Sequence, residues 1–300
     1  MGDLHQSNIT AEDAILEIQS SNDALLERIE EQITLETLDV SDQTLLQQLV
    51  EGLGDPRGLT RLRFAETLGE IGEPATPLLR NALASHTNVI VRRAAAKTLT
   101  IIGDSSAVPT LLHSFLNDED TVVRSSSAGA LARTGEAAVP ALLDILASPD
   151  QPEDTKGHAA WALAFIGSEA AEHLYKALNS DSIDVRCAVI GAIAHVAQEQ
   201  GDEKSCGILV TALTDPEPTI RAEAATAFAQ VNYLPAIPHL ILAIKDADLE
   251  VRKAAVSSLG KLGGQAEVET LRSALQDPET VVQVLAKLAI AQIENRAEEW

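Results

Sequence analysis

The segment VRRAAAKTLTIIG at residues 91–103 decides the fold, because closely similar segments recur along the chain. VRSSSAGALARTG at 123–135 and VRKAAVSSLGKLG at 251–263 repeat its order of a basic residue, small residues, a leucine seven positions later and a closing glycine. Eight segments align in this way, at spacings of 31, 32, 32, 30, 35, 31 and 31 residues. A period of about 30 residues is typical of a solenoid, in which each unit buries its apolar face against its neighbours. The first position of each pair, here called the anchor, and the apolar residue seven places after it are Arg61/Leu68, Arg92/Leu99, Arg124/Leu131, Lys156/Leu163, Arg186/Ile193, Arg221/Phe228, Arg252/Leu259 and Gln283/Ile290.

Each unit is predicted to contain two helices. VPTLLHSFL at 108–116 and IPHLILAI at 237–244 place apolar residues at i, i+3, i+4 and i+7, which is the pattern of an amphipathic helix. The segment that contains the anchor forms the second helix, and no alternating segment rich in Val, Ile and Thr predicts a strand. The sequence therefore predicts an all-α, right-handed α-solenoid of about eight helical hairpins.

Capping residues predict where these helices begin and end. Glycine should end the second helix in a left-handed conformation at Gly72, Gly103, Gly135, Gly167 and Gly263. Proline should open the next helix at Pro77, Pro109, Pro140 and Pro238. Aspartate lies six residues before the anchor and is predicted to cap the second helix at Asp55, Asp118, Asp150, Asp215, Asp246 and Asp277. The anchor bases are expected to bridge to these aspartates in their own or the neighbouring unit.

The repeats also set the predicted domain organisation, with residues 1–50 as an N-terminal helical cap and residues 51–300 as the repeat array. The last unit departs from the pattern, since Gln283 replaces the anchor base and 281–293 is apolar on nearly every side. Terminal repeats are often atypical, so this segment either packs on the previous unit as a cap or leaves an apolar strip for a partner. Such a strip would use Val284, Leu288 and Trp300.

Composition restricts the function classes. With 45 acidic and 22 basic residues, the net charge of −23 opposes nucleic acids and anionic membranes as partners. No apolar run approaches the roughly 18 residues of a membrane span. Two cysteines do not make a disulfide framework, so a cytoplasmic protein is expected. Because no phosphate loop, HExxH, CxxC or nucleophile elbow is present, we expect a protein that acts by binding and has no intrinsic cofactor or metal.

One face of the second helices is predicted to line a concave groove. The positions one, five and nine residues after the anchor lie on one stripe of a helix, turned away from the buried positions. Five bases fall on this stripe, namely Arg93, Lys97, Arg133, Lys253 and Lys261. Its two middle rows contain Gly157, Trp161, Phe165, Cys187, Gly191 and His195, with His158 beside them.

This stripe predicts a groove that is apolar at its centre and basic at its edges. Such a groove suits an acidic protein surface or a planar ligand that carries carboxylates. In the alternative interpretation Trp161 and Phe165 are core residues and the bases are simply solvated.

The cysteines are weak candidates for metal ligands. Cys187 and His195 lie two turns apart on one predicted helix, too far to chelate one ion without further ligands. Cys206 follows the insertion AQEQGDEKS at 197–205. Two thiolates cannot complete the four of an iron–sulfur cluster, so packing is the expected role of both cysteines.

The units share the pattern D-x(4–5)-VR-x-A-A-x-x-L-x-x-(I/L)-G, followed by a Pro-led leucine helix. Over about residues 50–295 they resemble the HEAT-like repeats of the phycobilin lyase family of cyanobacteria. The resemblance implies a solenoid that holds an open-chain tetrapyrrole and delivers it to a cysteine of a phycobiliprotein of the phycobilisome, often as a two-subunit assembly. Lyase subunits carry a stretch similar to Tyr-Tyr-Ala-Ala-Trp-Trp-Leu-Gly. The matching segment GHAAWALAFIG at 157–167 lacks both tyrosines and one tryptophan, which favours binding over lyase catalysis, and it keeps Ala159, Ala160, Trp161 and Leu163.

The chain is also similar to the HEAT-repeat protein that associates with the A-type iron–sulfur carrier IscA. That resemblance implies a partner that stabilises a cluster bound by the carrier. The expected function is therefore a protein-binding scaffold that acts through its groove in phycobilin or phycobiliprotein handling, with the IscA partner as the alternative. An enzyme of this family would be a phycobilin lyase or a chaperone-like lyase subunit, and the transient cofactor would be a phycobilin or a cluster shared with a partner.

Overall fold

The computed structural model describes residues 11–298, with side chains for residues 15–297, and every regular element in this range is a helix. The chain divides into two compact units, Met1–Ala138 (unit 1) and Val139–Trp300 (unit 2). The all-α prediction is confirmed. Within the described range no helix is both long and apolar enough to cross a membrane.

Unit 1 consists of a long first helix and three hairpins. Its helices are α1 (Ala11–Thr34), α2 (Gln43–Gly52), α3 (Gly58–Ile71), α4 (Thr76–Ser85), α5 (Val89–Ile102), α6 (Val108–Asn117) and α7 (Thr121–Arg133). The second helices α3, α5 and α7 pack side by side, and α2, α4 and α6 form the other layer. Leu68, Leu99 and Leu131 are at most 1% exposed, as expected for the position seven residues after the anchor.

Unit 2 repeats this arrangement with five hairpins. Its helices are α8 (Val139–Ala147), α9 (Glu153–Ile166), α10 (Ala171–Ala177), α11 (Ile183–Gln200), α12 (Glu203–Ala212), α13 (Pro218–Ala227), α14 (Ile237–Ala243), α15 (Leu249–Leu262), α16 (Val268–Ser273) and α17 (Thr280–Glu298). Each second helix packs on the next one and on the first helix of its own hairpin. The predicted solenoid of stacked hairpins is therefore confirmed.

The two ends of the array are helical. In unit 1, α1 packs on α3 and buries Leu26 and Ile29. Residues 1–10 of the predicted cap lie outside the described residues, and the boundary at residue 50 stays a prediction. In unit 2, α17 buries Val282 and Ala286 against α15, while Leu288 is 61% exposed. The terminal segment thus both packs and presents an apolar strip; Trp300 lies outside the described residues.

The prediction that the loop aspartates cap the second helices is wrong by two residues. The side chains of Asp120 and Asp248 are the N-caps of α7 and α15. Asp118 and Asp246 instead accept the backbone N–H of these caps at 2.8 Å. The loop aspartate therefore shapes the turn that presents the cap.

The glycine prediction is confirmed at Gly72, Gly103, Gly135 and Gly167, which all have positive φ. It is wrong at Gly263, where φ is −71°. An added Cβ there would lie 2.6 Å from the Leu259 carbonyl oxygen, so a close approach to the helix end, rather than a left-handed conformation, requires glycine.

The anchor bases tie neighbouring hairpins together. The Nη1 atom of Arg221 donates to the Asp215 carbonyl at 2.9 Å, and its Nε and Nη2 atoms donate to the Asp246 carboxylate of the next unit at 2.8 Å. The bond to the loop carbonyl recurs, through Nη1 or the glutamine amide, at Arg61, Arg92, Arg124, Arg186, Arg252 and Gln283. The predicted bridging is confirmed at Arg92/Asp118, Arg221/Asp246 and Arg252/Asp277.

Candidate functional site

The middle rows of the predicted stripe meet at one concavity within unit 2. It has a volume of about 480 Å³ and is lined by α9, α11 and α13. We call it the unit-2 concavity. The predicted residues that line it are Gly157, Trp161, Cys187, Gly191 and His195.

An exposed aromatic pair stands at this concavity. Trp161 and Phe165 are 52% and 50% exposed, and their ring centroids lie 5.5 Å apart. The alternative that both belong to the core is therefore wrong. Trp161 lines the concavity, whereas Phe165 is outside the lining and contacts the Trp161 ring from one turn further along α9. His158 is exposed on the same helix, outside the lining, and its Nδ1 atom lies 2.7 Å from the Asp154 carbonyl oxygen.

Small residues line the concavity together with Trp161. They are Gly157, Ala160 and Ala164 on α9 and Ala188 and Gly191 on α11. An added Cβ at Gly157 would meet no atom within 4 Å, so this position leaves the concavity open. Small lining residues next to an exposed indole leave space for a planar ligand.

The polar groups of this concavity differ from those the sequence predicted. Lys156 pairs with Asp184 at 2.5 Å, which satisfies the one lysine of the lining. Glu153 and Glu223 also line the concavity, so carboxylates outnumber bases there. None of the five predicted bases lines this concavity, and the binding role of the predicted groove stays a prediction.

Sequence analysis missed Glu223. It lies two residues after the anchor, where the other units have Arg63, Ala94, Ser126, His158, Ala188, Ala254 and Leu285. The side chain of Glu223 is half-buried and forms no hydrogen bond or ion pair with a described residue, and burial raises its pKa. An acidic residue at a position that is often alanine is the signal that could have identified it.

The two cysteines occupy different environments. Cys187 lines the concavity, and burial, followed by the charges of Glu223 and Asp184, raises the pKa of its thiol to about 11. Cys206 is buried on α12, and burial raises its pKa as well. Both thiols are therefore protonated at neutral pH, which disfavours metal ligation. In the described part of the chain no three His, Cys, Asp or Glu side chains are placed to hold a metal ion.

The predicted basic residues are dispersed. Arg93 pairs with Asp120 at 2.5 Å in unit 1, and Lys253 pairs with Glu250 at 2.7 Å in unit 2. Arg133 and Lys261 are exposed on α7 and α15. Two of the five bases thus have their charge compensated within the chain.

Unit 1 has a separate concavity of about 490 Å³ between α3 and α5. Arg93 and Lys97 line it, together with the exposed apolar side chains of Leu62, Ile90 and Ile101. Lys97 forms no ion pair with a described residue. Arg61 also lines it without an ion pair to a described residue and donates to the Asp55 carbonyl oxygen. This unit-1 concavity therefore combines two bases that have no carboxylate partner in the described part of the chain, Arg61 and Lys97, with apolar side chains.

Comparison with known proteins identifies the repeat. A family model of HEAT repeats matches residues 45–132, 114–194, 139–215, 171–241 and 208–291. Among solved structures, Kap121p bound to Nup53p gives a TM-score of 0.58 at 15% identity, over 96% of this chain and 38% of that one. Kap95p in its structure with RanGDP gives a TM-score of 0.50 at 14% identity, over 84% and 41%. At these identities the similarity shows the fold alone.

Two relatives differ in their sequence identity to this chain. The bilin biosynthesis protein MpeU of Synechococcus sp. (strain WH8020) is 36% identical over 272 residues, which cover 90% of this chain and 92% of MpeU. Deoxyhypusine hydroxylase of Eremothecium gossypii is 26% identical over 260 residues, which cover 83% and 77% of the two chains. The extent of both the family match and the similarity to MpeU shows that the chain is a HEAT-repeat protein and belongs to the phycobilin lyase-like family that includes MpeU.

Proposed function

We propose that this protein handles a phycobilin, which it holds in the unit-2 concavity and presents to a phycobiliprotein. The observation that carries the proposal is the exposed indole of Trp161 in a concavity that glycine and alanine residues also line, in a chain 36% identical to a bilin biosynthesis protein. The volume of about 480 Å³ is in the range of small-molecule sites. The chain acts here as a binding scaffold, and the phycobilin is a transient ligand.

The aromatic platform determines how such a ligand binds. Open-chain tetrapyrroles are conjugated and planar over adjacent rings, so they stack on an indole face. The Trp161 side chain is about half exposed, and the ring of Phe165 lies beside it at an interplanar angle of 33°. Stacking of a nucleic-acid base on an aromatic side chain contributes about 1–3 kcal/mol, which sets the scale for a planar ring on Trp161.

The test is a titration of purified protein with phycocyanobilin, followed by visible absorbance. We expect saturable binding with a shifted red band, and about tenfold weaker binding for Trp161→Ala, which corresponds to ~1.4 kcal/mol. Trp161→Phe should bind nearly as well as the unchanged protein. Leu242→Ala is the matched control, because Leu242 is 71% exposed on α14, away from the concavity. Equal affinity of Trp161→Ala and Leu242→Ala would remove the aromatic platform from the site.

The role of the partner is tested separately. Protein preloaded with phycocyanobilin is mixed with an apo-phycobiliprotein subunit, and covalent bilin is detected on the subunit after denaturation. Faster attachment than with free bilin would support delivery. A rate of attachment higher than binding of the bilin by this protein accounts for would support lyase activity. The IscA alternative stays a prediction, since no comparison reported above concerns an iron–sulfur carrier.

A further inference from the structure

The unit-2 concavity contains a carboxyl group without a partner. Glu223 projects from α13 against Gly191 of α11, where an added Cβ would lie 3.0 Å from Glu223 Oε1. Lys156, the lysine of the lining, is held by Asp184 at 2.5 Å and does not pair with Glu223. Partial burial of this carboxylate without a compensating group raises its free energy, and a ligand that supplies hydrogen-bond donors would lower it.

The surroundings of Glu223 select the kind of ligand. The titratable groups of the lining come from α9, α11 and α13 and are Glu153, Lys156, Asp184, Cys187, His195 and Glu223. Since Lys156 and Asp184 compensate each other, the remaining fixed charges are the carboxylates of Glu153 and Glu223. A ligand that placed its own carboxylates here would be repelled. A ligand that places N–H groups here would be favoured.

We infer that Glu223 accepts hydrogen bonds from the ring N–H groups of a planar, conjugated, nitrogen-containing ligand that stacks on Trp161. This inference rests on the proposed function and specifies how the bilin is oriented. The pyrrole N–H groups lie over Glu223, and the propionates point out of the concavity. It reverses the orientation that the sequence suggested, in which basic edges would bind the propionates.

The orientation has a spectroscopic consequence. A carboxylate beside the ring nitrogens stabilises their protonated, cationic form, and protonation of a conjugated tetrapyrrole shifts its absorbance to longer wavelength. Burial raises the pKa of free Glu223, whereas a protonated ligand would favour its ionised form. The bound bilin is therefore expected to keep its protonated band to higher pH than free bilin.

The experiment compares the full chain with Glu223→Gln and Glu153→Gln. Glutamine keeps the size of the side chain and removes its charge, and Glu153 supplies a matched carboxylate in the same lining. The readouts are the affinity for phycocyanobilin and the pH at which the red band of the bound bilin is lost, between about pH 5 and pH 9. We expect Glu223→Gln to weaken binding at least tenfold and to lower that pH by at least one unit, with a smaller effect of Glu153→Gln.

A second probe separates the two orientations. Phycocyanobilin dimethyl ester has no propionate charge but keeps the ring N–H groups, so we expect it to bind the unchanged chain about as well as the free acid. Binding of the free acid that is insensitive to Glu223→Gln but lost on esterification would overturn the inference and leave the proposed function intact. Failure of the unchanged chain to bind either bilin would overturn both. Circular dichroism and thermal midpoints confirm that the variants are folded.

Discussion

Single residues in unit 2 show how burial changes chemistry that the sequence presents as ordinary. Glu223 and Cys187 lie in one concavity, and burial raises the pKa of both. The negative charge of Glu223 contributes to the raised pKa of Cys187. At the residue scale, the titration of Cys187 therefore depends on the charge of Glu223.

The Cys187 thiol should be unreactive at neutral pH. With a pKa of about 11, its alkylation by iodoacetamide should be slow at pH 8, rise about tenfold per pH unit and level off only above about pH 11. Glu223→Gln removes a nearby negative charge, so the thiol should titrate at lower pH in that variant. Mass spectrometry of the labelled Cys187 peptide measures both rates. Fast labelling of the unchanged protein at pH 7 would contradict the burial of this thiol.

Glu223 should also destabilise the folded chain at neutral pH. Its pKa is higher in the folded chain than in the unfolded chain, so the protonated side chain favours the folded state. This stability is fully present below about pH 4.5 and is lost as pH rises through the folded-state pKa. Glu223→Gln removes this dependence, and we expect the variant to be at least as stable as the unchanged chain at pH 7. Urea unfolding at pH 4 and pH 7 measures the difference. A less stable variant at pH 7 would indicate a partner for Glu223 in the folded chain.

At the scale of the helices, the anchor bases connect consecutive hairpins. Each guanidinium bonds the carbonyl of its own loop and, in three cases, the aspartate of the following loop. These pairs are mostly buried, with 17% and 15% of the side chains of Arg221 and Asp246 exposed. Charge-assisted hydrogen bonds in such surroundings contribute more than surface ion pairs.

Loss of one such pair should have a defined pH dependence. The hydrogen bonds from Arg221 lower the pKa of Asp246 below 3.8, so the stability that this carboxylate contributes is present above that pH and is lost as pH falls through the folded pKa. We expect Asp246→Asn to lower the free energy of unfolding by about 1–3 kcal/mol at pH 7 and by less at pH 3. Chemical denaturation at both values measures the effect.

The exposed pair Lys253/Glu250 provides the comparison for that measurement. It joins two positions three residues apart on α15, and 64% of the Glu250 side chain is exposed. Removal of Glu250 should cost about 0.5 kcal/mol or less. Equal losses at Asp246 and Glu250 would show that the anchor pairs do not stabilise the hairpins more than surface pairs do.

At the scale of the whole molecule, stability comes from neighbouring hairpins. In unit 2, α15 packs on α13, α14 and α17, and Leu259 at its centre is fully buried. Solenoids lack contacts between distant repeats, so damage should remain local. Because the damage remains local, a folding defect in one of the variants proposed above can be distinguished from a loss of binding.

A cavity at Leu259 should therefore loosen its own neighbourhood. Leu259→Ala should destabilise the chain by about 2–5 kcal/mol. We expect hydrogen exchange to show the earliest loss of amide protection in α13–α17 of unit 2 and little change in α3–α5 of unit 1. A uniform loss of protection over both units would contradict stability from nearest neighbours.

The sequence by itself determined the repeat, the two helices of each hairpin, the buried position seven residues after the anchor and the bridging role of Arg92, Arg221 and Arg252. These features depend on local periodicity and on interactions repeated in unit after unit. It also placed Trp161, Cys187 and His195 on one face, because positions four residues apart on a helix share a stripe.

Only the tertiary structure decided which side chains of that face meet and which charges remain uncompensated. Glu223 enters the concavity from α13 because it lies opposite a glycine of α11, a contact that no spacing within one helix reveals. In the same way, Arg93 forms an ion pair with Asp120 of the next hairpin, which compensates its charge. The physical reason is that the polarity of a concave face is set by pairing across neighbouring helices, whereas sequence periodicity reports on each helix alone.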